Sequence, residues 1–109
     1  MRRGDIVTVV APGAYGKPRP AVLIQGDSLN QNDPSSTIVA LMTSALVDAP
    51  LLRLTVPAND DTGLRTTSQV QVNRILTLPV DKVEQTIGRL NDRQMVELNR
   101  LLAVVIGLT

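Results

Sequence analysis

With 109 residues, 43% of them apolar, the chain fits one domain built around a single modest core. A net charge of only +1 excludes nucleic-acid binding driven by a whole-molecule field, so any such binding needs a local basic patch. The absence of cysteine and histidine excludes disulfides, thiolate metal sites, a Cys nucleophile and every Ser-His-Asp arrangement.

Arg2 and Arg3 are followed by Asp5 and by no long apolar stretch, so no signal peptide is expected. No segment reaches the roughly 18 apolar residues of a membrane span, and the chain reads as cytoplasmic. Asp5 to Val10 is β-branched and weakly alternating, which predicts a first strand. Ala11 to Pro18, with Pro12, Gly13, Gly16 and Pro18, is a loop. It contains Tyr15, the only aromatic residue, so recognition by stacking several bases is excluded.

Arg19 to Gln25 predicts a second strand, with Pro20 at an edge or entry position because proline cannot donate to a ladder. Gly26 to Ser36 is polar and reads as a surface connection. Thr37 to Met42 is apolar on both faces, the mark of a central strand. Thr43 and Ser44 close it. Ala45 to Leu52 is a looser, aliphatic segment broken by Pro50, and Arg53 to Val56 is a short strand stopped by Pro57.

Asn59 to Gly63 is a turn. Asp60 and Asp61 in it are ordinary turn acids, since no third ligand has suitable spacing for a metal. Gln69 to Ile75 alternates with period two, which predicts one buried and one wet face. Pro79 to Lys82 reads as one helical turn and Glu84 to Gly88 as a last strand. The one confident helix starts at Asn91 or Asp92, where Asn91 and Gln94 fit a capping box. Met95, Leu98, Leu101, Leu102, Val105 and Ile106 mark its apolar side, and Gly107 its stop. Short strands plus a terminal helix predict a β-rich α+β domain: a small antiparallel barrel with a helix packed over it.

Two places carry candidate chemistry. Arg19 sits between two prolines that hold the backbone extended. It either snorkels into solvent from a strand edge or grips a phosphate with its planar fork. The Thr43-Ser44 hydroxyls either start a turn or meet a ligand at the strand end.

Arg3-Gly4-Asp5-Ile6-Val7, Lys17-Pro18-Arg19-Pro20 and Met42-Thr43-Ser44, in that order, resemble the MazF/PemK (Kid) family of toxin endoribonucleases. The resemblance spans almost the whole chain. It implies the MazF/CcdB-like fold, an SH3-like β-barrel with a carboxy-terminal α-helix. It also implies a toxin of a type II toxin–antitoxin pair, a homodimer that cuts single-stranded mRNA without a cofactor and is silenced by a cognate antitoxin. The resemblance makes Arg19 and Thr43 catalytic, with Ser44 beside them. It sets Tyr15, Gly16 and Lys17 on a loop next to the RNA. Where Kid-like members have an Arg and an Asp for acid–base chemistry, this chain has Gln71 and Asn73; either Arg19 itself shuttles protons, or a shifted neighbour such as Arg74 substitutes, or activity is reduced. Two other readings stay open: a CcdB-like gyrase poison, and a degenerate member acting as a binding module.

Overall fold

Alternate residues of a strand face opposite sides of its sheet, and here the middle strands are apolar on both. The computed structural model describes residues 1–13 and 16–109. Its strands are β1 (Asp5–Val9), β2 (Arg19–Leu23), β3 (Ser36–Thr43), β4 (Arg53–Val56), β5 (Ser68–Pro79) and β6 (Val83–Arg89). They form one antiparallel sheet in the order β4-β5-β3-β2-β1-β6. A one-turn helix, α1 (Asp27–Asn30), joins β2 to β3, and α2 (Asp92–Val105) follows β6.

One face collects Ile6, Val22, Ala40, Met42, Val70 and Val72, and Leu98 and Leu101 of α2 pack onto it. The other collects Val7, Val9, Ala21, Leu23, Val39 and Leu41 and is closed by Leu76, Leu78 and Val83. The curl that closes it comes from β5. Ala40 pairs with Ile75, but Met42 pairs with Val70, so extra β5 residues stand against Leu41 alone. A bulge of this kind bends the strand and sharpens its twist.

The sheet curls without closing its ladder, because β4 and β6 do not pair. The loop of residues 57–67 lies across that gap instead, with Arg89 N–H donating to the Asp61 carbonyl at 2.8 Å. Gly63 (φ 67°) and Gly88 make this contact possible: a Cβ on either would overlap the backbone of Ile87 or Thr62.

Four expectations need correction. Residues 26–36 are not merely a surface connection, for they contain α1 and the buried Asn30, whose Nδ2 donates to the Gln25 carbonyl at 3.0 Å. The period-two pattern of β5 fails: residues 68–72 are all buried and Asn73, Arg74 and Ile75 are exposed. The bulge breaks the alternation, and the Gln69 amide is covered by the 45–52 segment. Gln69 Nε2 donates to the Val47 carbonyl at 3.0 Å and Oε1 accepts from Val47 N–H at 3.1 Å. Ile106 is exposed rather than core, because α2 ends before it. There Gly107 (φ 79°) turns the chain, and Leu108 N–H donates to the Ala103 carbonyl at 2.7 Å in a Schellman closure. Leu102 is only partly buried, so Leu98 and Leu101 carry the helix contact.

The capping box of α2 is formed. Asn91 Oδ1 accepts from Gln94 N–H and Gln94 Oε1 accepts from Asn91 N–H, both at 2.8 Å. Asn91→Ala should therefore lower stability by about 1 kcal/mol. Thermal melting should show a fall of about 4–8 °C.

Candidate active site

Arg19 opens β2, paired with Val9 of β1, while Pro20 sits against Thr8. The β2–β3 ladder pairs Ala21 with Leu41, Val22 with Ala40 and Leu23 with Val39. Continued by two residues, the same register sets Arg19 opposite Thr43. Cross-strand neighbours at such a position lie close enough to act on one ligand.

They share a cavity. Arg19, Thr43 and Ser44 line a cleft of about 710 Å³ together with Thr8, Arg65 and Gln85. That volume falls within the range of roughly 300–1,000 Å³ typical of ligand pockets. Arg19 also lines a second, smaller cavity of about 150 Å³, shared with Leu41, Gln71 and Arg74. Among the described residues no aspartate or glutamate lines either one. Among the described residues Arg19 enters no ion pair.

The Thr43 hydroxyl does what a turn hydroxyl does, its Oγ1 accepting from Ala45 N–H at 3.1 Å. That bond uses a lone pair and leaves the O–H as a donor. Both readings of this residue are therefore compatible. Arg74 is steered by its neighbour, Nη1 donating to Gln71 Oε1 at 3.4 Å. Residues 71 and 74 are an odd number apart and would face opposite sides of a regular strand. The β5 bulge brings both to one cavity, and Asn73 lines neither.

The fold thus brings together Arg19, Thr43, Ser44, Gln71 and Arg74. Gly16 and Lys17 are exposed and line neither cavity, and Tyr15 lies outside the described residues. That Arg65, Thr8 and Gln85 line the cleft was not legible in the sequence. Thr8 pairs with Gln85 across β1 and β6, a long-range contact without local signal, and Arg65 reaches the cleft only through the loop laid over β6.

A family model described as PemK-like, MazF-like toxin of type II toxin–antitoxin system matches residues 2–106. The chain belongs to this family. A probable endoribonuclease MazF from Mycolicibacterium smegmatis is 40% identical over 99% of this chain and 98% of its own length. An endoribonuclease MazF from Staphylococcus saprophyticus is 29% identical over 99% of this chain and 92% of its own. Among solved structures, a mycobacterial endoribonuclease in complex with its cognate antitoxin superposes with a TM-score of 0.84 at 19% identity, covering 100% of this chain and 97% of that one. A MazE–MazF structure from Deinococcus radiodurans gives 0.81 at 19% identity, over 100% and 98%. At such identities these structures speak for a shared PemK/MazF fold. No helix among the described residues is long and apolar enough to cross a membrane.

Proposed function

We propose that this PemK/MazF-family toxin is a metal-independent endoribonuclease that cuts single-stranded RNA in the cytoplasm and is held in check by a cognate antitoxin. The observation that carries the reading is the convergence of Arg19 and the Thr43 and Ser44 hydroxyls on one cleft without carboxylates. In that cleft the RNA's own 2′-OH attacks the adjacent phosphorus. The 2′-oxygen–phosphorus bond forms as the bond to the 5′-oxygen breaks. The products are a 2′,3′-cyclic phosphate and a 5′-OH.

Arg19 donates two N–H groups to the non-bridging oxygens, where charge builds in the phosphorane, and Thr43 donates its O–H to the same group. Donors fixed before the reaction need no reorganisation during it. Arg74, steered by Gln71, supplies a second guanidinium in place of the Arg that Kid-like members carry where this chain has Gln71. With no carboxylate or imidazole among the described residues of the cleft, water takes the 2′-OH proton and returns one to the departing 5′-oxygen, which leaves as the 5′-OH. A hard divalent cation prefers carboxylate oxygens, and this donor set offers none.

Leu46, Val47, Leu51 and Leu52 are exposed. They form an apolar strip suited to burial in a homodimer. The family match and the cationic cleft favour the nuclease over a CcdB-like gyrase poison. Long single-stranded RNA with EDTA tests the proposal: the wild type should cut it and Arg19→Ala should not. Gyrase inhibition without cleavage would favour the poison, and neither activity would favour a degenerate binding module.

A further inference from the structure

The residues lining the two cavities include three arginines and no acid, in a chain with 11 basic and 10 acidic residues overall. Arg19 lines both cavities, Arg65 only the larger and Arg74 only the smaller. A nucleic-acid strand carries phosphates at regular spacing. A strand that sets one phosphate on Arg19 therefore carries its neighbours outward along the cleft on both sides.

Arg65 is exposed, but the loop that bears it is built to stay in place. Asn59 Oδ1 accepts from Thr62 N–H and the Thr62 hydroxyl donates to the Pro57 carbonyl, both at 2.9 Å. Thr62 is buried against β6, and Gly63 and Gly88 allow backbone to meet backbone there. A loop fixed in this way loses little freedom when its side chain meets a ligand. Thr66, next to Arg65, adds a hydroxyl to the same wall.

We infer that Arg65 is a second phosphate-binding residue, gripping a phosphate that flanks the scissile one on the side of Arg19 away from Arg74. The inference rests on the nuclease reading above. It gives the cleft an axis, with the RNA running from Arg74 over Arg19 to Arg65.

The test begins by mapping a cut in a long single-stranded RNA and preparing a short oligonucleotide around it. Binding uses the same oligonucleotide with a 2′-O-methyl group at the attacking position. Arg65→Ala should lower the slope of log affinity against log salt by about 0.7, the value for one lost contact to a single strand. It should raise KM roughly tenfold, the size of one charge-assisted bond, whereas Arg19→Ala loses turnover. Arg65→Lys should restore the salt slope, and the melting temperature of each variant should match the wild type.

Neutral methylphosphonates placed one at a time then locate the contact. Arg65→Ala should be indifferent to one position on one side of the cut, and Arg74→Ala to one on the other side. A wild-type KM and salt slope in Arg65→Ala, beside intact Arg19-dependent cleavage, overturns this inference alone. Indifference of both variants at the same position also overturns it. A wild type that neither cuts nor binds RNA overturns the nuclease reading with it.

Discussion

Arg19→Lys should be nearly as inactive as Arg19→Ala, with turnover falling about a hundred- to a thousandfold, as when an oxyanion donor is removed. Lysine keeps the charge but loses the planar fork that meets two phosphate oxygens at once. The surroundings sharpen the contrast. Pro18 and Pro20 fix the backbone on either side of residue 19, and Val9 holds it across the β1 ladder. A shorter range of approach is then open to a point charge on a flexible stem. Because Arg19 is exposed and joined to no acid among the described residues, neither substitution should disturb folding. Single-turnover cleavage of one RNA by the three proteins, with melting curves alongside, checks this. Near-normal turnover with lysine would remove the two-pronged role.

Leu101→Asp should leave the chain without a cooperative melting transition. Leu101 is wholly buried with Leu98 against Val70, Val72 and the rest of that core face. An unpaired carboxylate there costs several kcal/mol, against a total stability of about 5–15 kcal/mol for a domain. Leu101→Met keeps shape and polarity and should cost less than about 1.5 kcal/mol. Leu102→Asp should be milder, since that side chain is only partly covered and its head can reach water. Circular dichroism of the three variants orders them. An unchanged transition in Leu101→Asp would mean that α2 does not pack on the sheet in solution.

What was legible in the sequence was what local pattern dictates. The run from Thr37 to Met42, apolar at every second residue on both faces, could only be a central strand, and β3 lies between β2 and β5. Asn91 and Gln94 announced the start of α2 through their own chemistry. The resemblance set Arg19 and Thr43 at one site, and both line one cleft, each at a terminus of its strand, with β2 and β3 neighbours in the sheet.

What was hidden depends on pairing between distant segments. The β5 bulge arises from mismatch with β3, so nothing within residues 68–75 revealed that Gln71 and Arg74 would share a wall while Asn73 would not. Arg65 was missed for the same reason. Its place is set by Gly63 and Gly88, far apart in sequence and in contact only after folding. Ile106 kept the helical spacing of its predecessors, but the left-handed Gly107 ends the helix and leaves it outside the core.

A double-variant cycle asks most directly whether the strand-end guanidinium and hydroxyl serve one phosphodiester. Turnover of a single RNA is measured for wild type, Arg19→Ala, Thr43→Ala and the two combined. Groups that act as a unit on the same reacting centre show strongly non-additive losses, so the combined variant should be little worse than Arg19→Ala alone. A combined loss equal to the product of the single losses would place the two side chains on separate tasks.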